Sequence, residues 1–224
     1  MNTRAYLAEL LGTFLFMMVG YASVAAFNAA GTPPVPSLLV VPFAFGFGLL
    51  AAIYAFGHAS GAHYNPAVTI AMVLDGRTTP ADAVCYIIAQ IIGAIGAAAV
   101  VLITVSQAAV MAGITKPGTG ITDLNALFLE IVFTSIFLVV ILTVSKRNAA
   151  LAGIVIPLTL VAIHFAIATL SGSSLNPARS IGSAVVGGDL AQIWIYIIGP
   201  VVGGIIGFGI FRVLDTPIER AIPE

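Results

Sequence analysis

The chain has 224 residues, of which 60% are apolar before glycine is counted and only 8% are charged. An ordinary soluble domain is about 45–50% apolar with glycine included and about 25% charged, so this composition argues against a soluble enzyme and against a disordered chain. Lys and Arg number 8 and Asp and Glu 9, which leaves a formal charge of −1 and no basic surface for a nucleic acid. Cys85 is the single cysteine, so neither an internal disulfide nor a cysteine-rich metal site is possible. A helical membrane protein with several spans is the class that remains.

Six stretches are long and apolar enough to cross a membrane. A helix needs about 20 mostly apolar residues to span a hydrocarbon layer of roughly 30 Å. The chain meets this requirement at residues 5–27, 38–57, 81–107, 124–145, 150–170 and 191–214. The first stretch could also be read as a signal peptide, but it is long for one and contains Glu9.

The basic residues predict the orientation. With six spans both termini lie on one side, and Lys116 alone lies on the other. The side of the termini receives Arg4, Arg77, Lys146, Arg147, Arg212 and Arg220. Because Lys and Arg are enriched in cytoplasmic loops, we expect both termini to be cytoplasmic and the chain to be a multi-pass protein of the cell (plasma or inner) membrane.

Two segments between the spans are too short to cross. One contains Asn65-Pro66-Ala67 and ends near Gly76, and the other contains Asn176-Pro177-Ala178 and ends near Gly187. Asparagine is a favoured N-cap, proline a favoured first helical residue and glycine a favoured residue just past the end. Each segment is therefore predicted to form a helix of about ten residues, roughly 15 Å long. These half-helices should enter from opposite faces and begin near the midplane.

The approaches to the half-helices are not helical. Both begin with Ser-Gly, at residues 60–61 and 171–172. Non-helical backbone at that depth is tolerated only where it lines a cavity or is buried in protein. We therefore expect a water-filled path lined by the backbone of Gly61, Ala62, His63, Gly172 and Ser174.

The sequence repeats itself in three places, in the same order. Residues 9–16 match 130–137, the Ser-Gly and Asn-Pro-Ala segment recurs, and residues 90–93 match 200–203. Because each half contains three spans, the halves have opposite topology, and a fold of this kind builds its site at the midplane between them. The chain is thus predicted to be a single transmembrane domain made of inverted repeats, about 1–118 and 119–224.

Two Asn-Pro-Ala motifs on a six-span inverted repeat, the second followed by Arg179, resemble the aquaporin family of major intrinsic proteins. The resemblance covers nearly the whole chain, and the doubled motif is highly specific. It implies an all-α membrane channel of six transmembrane helices plus two re-entrant half-helices. It also implies a homotetramer in the lipid bilayer, one pore in each subunit, water as the permeant, and no cofactor or metal.

The doubled motif suggests how such a pore excludes protons. If the side-chain oxygen of Asn65 or Asn176 accepts a backbone N–H one turn on, its NH2 group is aimed into the path. A water that accepts from both asparagines points its hydrogens outward, which interrupts proton hopping. The positive ends of both half-helix dipoles also disfavour cations there. The alternative is that each asparagine is only a helix cap.

Arg179 is a fixed charge inside a membrane segment, which costs about 2.5–3.5 kcal/mol or more unless it faces water or a partner. By resemblance it is one wall of a selectivity filter, whose other members are Phe45, His164 and Ser173. Phe45 would narrow the bore, and His164 and Arg179 would donate hydrogen bonds to water. The alternatives are a packed histidine and a core or lipid-facing phenylalanine. Ser173 departs from the Thr or Cys common in water-selective relatives, which leaves the width of the filter open.

Glu9 and Glu130 are two acids inside spans, at matching positions of the repeats. By resemblance they accept hydrogen bonds from loop N–H groups and hold the approaches to the half-helices in place. The alternative is an acid that reaches toward the membrane interface. For His58 and His63 a structural hydrogen-bonding role is favoured over pH sensing.

The predicted function is passive water permeation that excludes protons and ions. The alternative of the same fold is a facilitator for glycerol or another small neutral solute. Such relatives usually carry Asp after the second-motif arginine, where this chain has Ser180. An intramembrane serine protease is disfavoured because residues 169–172 lack a Gly-x-Ser-Gly pattern, and an ion-coupled transporter because both membrane acids lie away from the motifs. The protein is therefore predicted not to be an enzyme.

Overall fold

The structure is a computed structural model that describes residues 2–31 and 34–215. Arg220, counted above among the basic residues, lies outside this part. The described residues form α-helices and no β-strand. Six of these helices are long and apolar enough to cross a membrane, which confirms the six predicted spans and the all-α fold. In chain order the helices are α1 (Thr3–Ala29), α2 (Pro34–Ser60), α3 (Pro66–Leu74), α4 (Pro80–Thr104), α5 (Gln107–Ala112), α6 (Asp123–Arg147), α7 (Ala149–Ser171), α8 (Pro177–Gly187) and α9 (Ile193–Leu214).

The short helices α3 and α8 begin at the Asn-Pro-Ala motifs. Asn65 precedes α3 with an extended backbone, and its Oδ1 accepts from the backbone N–H of Ala67 at 2.9 Å. Asn176 precedes α8 in the same way, and its Oδ1 accepts from the backbone N–H of Ala178 at 3.0 Å. A proline occupies the start of each helix, where its missing N–H has no intrahelical partner to lose. With 9 and 11 residues, both helices are too short to cross the hydrocarbon layer.

Within each half, two long helices pack closely at a glycine, and the two glycines occupy matching positions. In the first half α1 packs on α4, and a Cβ on Gly93 would lie 2.4 Å from the carbonyl oxygen of Leu10. In the second half α6 packs on α9, and a Cβ on Gly203 would lie 2.5 Å from the carbonyl oxygen of Ile131. Leu10 and Ile131 each directly follow the membrane acid of their half. These close approaches therefore fix both acids beside a neighbouring helix.

Each half-helix packs on a long helix of the other half. α8 contacts α4, where a Cβ on Gly182 would lie 2.7 Å from the carbonyl carbon of Ala94. α3 contacts α9, where a Cβ on Gly204 would lie 3.1 Å from the carbonyl oxygen of Ala67. Small residues allow backbones to approach this closely in membrane bundles. The halves are interlocked, and the beginnings of α3 and α8 meet inside the bundle.

The third span is shorter than predicted. α4 ends at Thr104, before Gln107, because Ser106 caps a new helix by accepting from the backbone N–H of Ala109 at 3.1 Å. The apolar composition continues across this break, so the sequence does not reveal α5. Nε2 of Gln107 donates to the carbonyl oxygen of Gly187 at 2.7 Å. This bond satisfies a carbonyl at the end of α8 that has no partner within its own helix.

Replacing Gly203 by alanine is expected to destabilise the protein by roughly 1–3 kcal/mol, because the added Cβ would overpack the contact with Ile131. The matched control is Gly209→Ala on the same helix, where a Cβ meets nothing within 4 Å. Thermal unfolding in detergent should show a lower midpoint for Gly203→Ala and a nearly unchanged midpoint for Gly209→Ala. Equal midpoints would contradict the close packing of α6 on α9.

Candidate functional site

Asn65 and Asn176 connect the two halves directly. Nδ2 of Asn65 donates to the carbonyl oxygen of Leu175 at 2.8 Å, and Nδ2 of Asn176 donates to the carbonyl oxygen of Tyr64 at 2.9 Å. These bonds use one of the two N–H donors that each amide carries. Both asparagines also line a narrow cavity. Each amide therefore keeps one N–H donor that is free for the cavity, whereas the sequence motif suggests that both donors would face it.

The loop that leads to α3 is held by Glu9. Its side chain is completely buried, and its carboxylate accepts from the backbone N–H of His63 at 2.9 Å and of Tyr64 at 2.7 Å. Nε2 of Gln90 donates to the same carboxylate at 2.7 Å. A buried carboxylate is tolerated only when such donors replace the water it has lost. The burial of Glu9 therefore requires the loop to stay in this position.

Glu130 holds the loop that leads to α8. It is also completely buried, and it accepts from the backbone N–H of Ser174 at 2.9 Å and of Leu175 at 2.8 Å. The third donor is the hydroxyl of Ser171, at 2.8 Å. This donor belongs to the last residue of α7, and the side chain of Ser60, the last residue of α2, interacts with Glu9 in the other half.

The backbone of both loops adopts conformations that L-residues rarely occupy. Besides Gly61 and Gly172, positive φ angles occur at Ala62 (57°), Tyr64 (49°), Ser173 (46°) and Leu175 (55°). Each such residue costs of order 1–3 kcal/mol unless its surroundings hold it. Turns of this kind gather successive N–H groups on one side, and here those groups meet the carboxylates. The two acids therefore compensate for the strain of the loops.

Two tyrosines complete the support of the loops. Oη of Tyr86 donates to the carbonyl oxygen of Ser60 at 2.9 Å, and Oη of Tyr196 donates to the carbonyl oxygen of Ser171 at 2.7 Å. Both acceptors are the last residues of long helices, whose carbonyls have no intrahelical partner. Each tyrosine stands four residues before the third matched segment of its half. Extending the match of residues 90–93 with residues 200–203 by four residues toward the N-terminus would have identified both tyrosines.

Three cavities lie end to end through the bundle. A narrow cavity of about 100 Å³ passes the two asparagines and shares lining residues with a cavity of about 470 Å³ at one end and of about 390 Å³ at the other. Phe45, His164 and Arg179 line both the narrow cavity and the largest one, so they mark a constriction between them. Among the predicted loop residues, the narrow cavity is lined by Gly61, Ala62, His63 and Ser174, and the largest one by Gly172.

At this constriction an aromatic ring, an imidazole and a guanidinium are in contact. The rings of Phe45 and His164 stack with centroids 5.1 Å apart, and the guanidinium carbon of Arg179 lies 5.3 Å from the ring centroid of Phe45. Nη1 of Arg179 donates to the carbonyl oxygen of Gly113 at 3.0 Å. Nε of Arg179 has no partner among the described residues. The positive charge is therefore held in place with donor capacity left over.

Helix α1 supports the constriction through Gly20 and Tyr21. A Cβ on Gly20 would lie 2.2 Å from the ring of Phe45. The absence of a side chain at Gly20 therefore leaves room for this ring. The ring of Tyr21 meets Phe45 edge-on, with centroids 6.4 Å apart, and its Oη donates to the carbonyl oxygen of Arg179. A Gly-Tyr pair inside an apolar span is too common to identify either residue from sequence.

His164 presents an acceptor rather than a donor. Its Nδ1 lies 3.0 Å from the carbonyl oxygen of Leu160, and a carbonyl only accepts, so Nδ1 carries the proton. In the neutral ring Nε2 is then an acceptor, and it is buried without a partner among the described residues. The expectation that His164 donates to water is therefore wrong for the neutral ring, and Arg179 is the donor at this constriction.

Ser173 differs from the other three residues of the expected filter, which all line the narrow cavity. It is completely buried, it does not line any of the three cavities, and its Oγ has no partner among the described residues.

The motif residues Pro66, Ala67, Pro177 and Ala178 are buried in the first turns of the half-helices and do not line these cavities. Within residues 2–31 and 34–215, no group of three His, Cys, Asp or Glu residues could hold a metal ion.

Known proteins share this sequence pattern. The sequence profile described as major intrinsic protein matches residues 1–211. Glycerol uptake facilitator protein-like 6 of Lactiplantibacillus plantarum is 44% identical over 224 residues, which cover 95% of this chain and 99% of that protein. Aquaporin Z of Rhodopseudomonas palustris is 42% identical over 229 residues, which cover 96% of this chain and 95% of that protein.

A solved structure shares the fold. The X-ray structure of the aquaglyceroporin from Plasmodium falciparum matches with a TM-score of 0.86 over 96% of this chain and 97% of that chain, at 24% identity. At this identity the likeness concerns the fold alone. The six spans and the sequence matches show a multi-pass membrane channel and not an enzyme. The chain belongs to the major intrinsic protein family, the family of the aquaporins.

Proposed function

We propose that the chain is a passive transmembrane water channel. The observation that carries this proposal is the contact of Phe45, His164 and Arg179 on the same path as Asn65 and Asn176. One wall of this constriction donates hydrogen bonds, another accepts them, and the third is an aromatic ring that narrows the opening. Water both donates and accepts, so it fits such a site.

The constriction favours water over glycerol by its hydrogen bonds. Arg179 donates to the oxygen of an entering water, and Nε2 of His164 accepts one of its hydrogens. These bonds replace those lost on leaving bulk water. The carbon backbone of glycerol could contact the ring of Phe45, but where it lies against Arg179 or Nε2 of His164 it leaves those polar groups unsatisfied, which carries a large penalty in a buried site.

The asparagine junction supports exclusion of protons. Asn65 and Asn176 each keep one N–H donor for the path, so a water that accepts from both turns its hydrogens outward. A hydrogen-bonded file cannot then run in one direction through this point. The positive ends of α3 and α8 meet here as well, and with Arg179 they disfavour hydronium and other cations.

A facilitator for glycerol or another small neutral solute is the second candidate. It is supported by the name of the relative that is 44% identical. It is also supported by the other part of the narrow cavity, which is lined by apolar residues that suit the carbon side of such a solute, among them Leu49, Ile53, Val68, Ile156 and Leu160. The two candidates differ in what passes the constriction.

The proposal extends to assembly and placement. Both repeats, about 1–118 and 119–224, would form one channel domain, since each half-helix packs on the other half. We propose a homotetramer in the cell membrane, with a water pore in each subunit. Arg77, Arg147 and Arg212 gather at one end of the bundle, whereas Lys116 lines the cavity at the Arg179 end. This distribution supports cytoplasmic termini.

Vesicles that contain the purified protein should shrink faster than empty vesicles after an osmotic step, as measured by stopped-flow light scattering. Glycerol uptake should stay near that of empty vesicles, because the carbon backbone of glycerol would cover the polar groups of Arg179 and His164 at the constriction. A pH-sensitive dye inside the vesicles should report no added proton flux. Glycerol uptake as fast as water flow would contradict water selectivity and favour the second candidate.

Replacing His164 and Arg179 together by alanine should raise glycerol uptake about tenfold or more, the factor for a barrier lowered by about 1.4 kcal/mol, because both polar walls are removed. Water permeability should be retained. The matched control is His58→Ala, which changes an exposed histidine outside the three cavities. If the double variant admits no more glycerol than the control, these residues do not form the filter.

Replacing Tyr196 by phenylalanine should lower water permeability per protein. The change leaves the carbonyl of Ser171 without its donor, at a cost of about 1–3 kcal/mol for a buried group, and it loosens the loop that leads to Arg179. Tyr54→Phe, at an exposed position on α2, is the control. An unchanged permeability together with an unchanged unfolding midpoint would show that Tyr196 does not position the loop.

A further inference from the structure

An apolar groove runs along the outside of the bundle between α6 and α9. Its volume is about 520 Å³, and it is lined by Phe128, Ile131, Val132, Ser135, Ile136, Val139, Val140, Ile206 and Ile210. The one hydrogen of the Ser135 hydroxyl is shared between the carbonyl oxygens of Ile131 and Gly203, so the groove presents apolar surface. Along α6 it extends from Phe128 to Val140 for about 18 Å, at about 1.5 Å per residue. This length suits an acyl chain better than a small solute.

The groove leads to a pair of basic residues. Lys146 and Arg147 follow Val139 and Val140 by seven residues each. Seven residues are about two helical turns, so both cations lie on the face of α6 that lines the groove. On α9 the apolar surface continues to the end of the helix, where side chains are 85% and 67% exposed at Val213 and Leu214.

Among residues 2–31 and 34–215, this end of the bundle carries more basic than acidic side chains, with Arg77, Lys146, Arg147 and Arg212 close to Asp75 and Asp215. Asp215 accepts from Lys146 at 2.5 Å and from Arg147 at 2.9 Å, and the hydrogen bond from Lys146 lowers the pKa of Asp215 below its ordinary value. The carboxylate is therefore ionised at neutral pH, and it contacts both cations. Arg212 adds a third cation, with a side chain 59% exposed and 3.8 Å from its partner Asp75.

We propose that this surface binds an anionic phospholipid, with one acyl chain in the groove and the phosphate beside Lys146 and Arg147. Basic residues near the ends of spans attract anionic headgroups, at about 1 kcal/mol for each Lys or Arg. The opposite end of α6 begins at Asp123, which would repel a phosphate. The charges therefore fix the direction in which the lipid lies, and the site is separate from the water path.

Phosphatidylglycerol with two oleoyl chains is the probe, compared with phosphatidylcholine of the same chains and with glycerol phosphate, which has no chains. In detergent, phosphatidylglycerol should raise the thermal unfolding midpoint of the full chain and remain bound in native mass spectrometry. The other two compounds should do neither. Equal effects of the two lipids would overturn the role of charge, and an equal effect of glycerol phosphate would overturn the role of the groove.

Replacing Lys146 and Arg147 together by glutamine should abolish the preference for phosphatidylglycerol, whereas Lys116→Gln, at the opposite end of the bundle, should keep it. Asp215→Asn tests the same site without removing a cation. It adds one net positive charge, so it should tighten phosphatidylglycerol binding about fivefold, the factor for about 1 kcal/mol. Weaker binding by Asp215→Asn would overturn the proposal.

A second variant tests the groove. Val139→Trp fills it and should reduce the number of phosphatidylglycerol molecules retained, while Ile88→Trp, at an exposed apolar position on α4, should not. If Val139→Trp leaves lipid retention unchanged and instead alters the oligomeric mass, a second copy of the chain covers the groove. That result would overturn the lipid assignment.

Discussion

The structure depends on how backbone N–H groups are satisfied where two loops meet inside the bundle of membrane-spanning helices. No water is available in hydrocarbon to bond free donors, so irregular backbone at that depth needs acceptors within the protein. Glu9 and Glu130 supply them, each from the first helix of its half, and each binds two successive N–H groups. The carboxylates are in turn tolerated there because the loops bring them donors. Loop shape and buried acids therefore form one interdependent unit, which sets where the half-helices begin.

The two halves share this scaffold but differ where the path narrows. Ser60 and Ser171 end corresponding helices, which relates the halves by a shift of 111 residues. With that shift, the positions that match Phe45, His164 and Arg179 hold Ile156, Ile53 and Val68. All six residues line the narrow cavity. Repeat symmetry thus builds the support, and departures from symmetry make one end of the path polar and the other apolar.

Much of this architecture could be predicted from the sequence, because span length, hydropathy and helix capping are local properties. The six spans and both half-helices follow from them, and the resemblance assigns Phe45, His164 and Arg179, which the structure brings into contact. Other features could not be predicted. The bonds from Asn65 and Asn176 join residues more than one hundred positions apart, and the proton on Nδ1 of His164 depends on a side-chain rotation toward a carbonyl one turn away. The break before α5 depends on a single capping serine within an apolar stretch.

The reciprocal bonds of the asparagines have a consequence for how such a chain can originate. Each amide satisfies a carbonyl of the other half, Leu175 in one direction and Tyr64 in the other, so neither half is chemically complete alone. Two copies of one half could complete each other only if they were inserted upside down relative to one another. A single-repeat ancestor would therefore need dual topology in the bilayer and antiparallel pairing. Joining the copies after an odd number of crossings makes both orientations obligatory in one polypeptide.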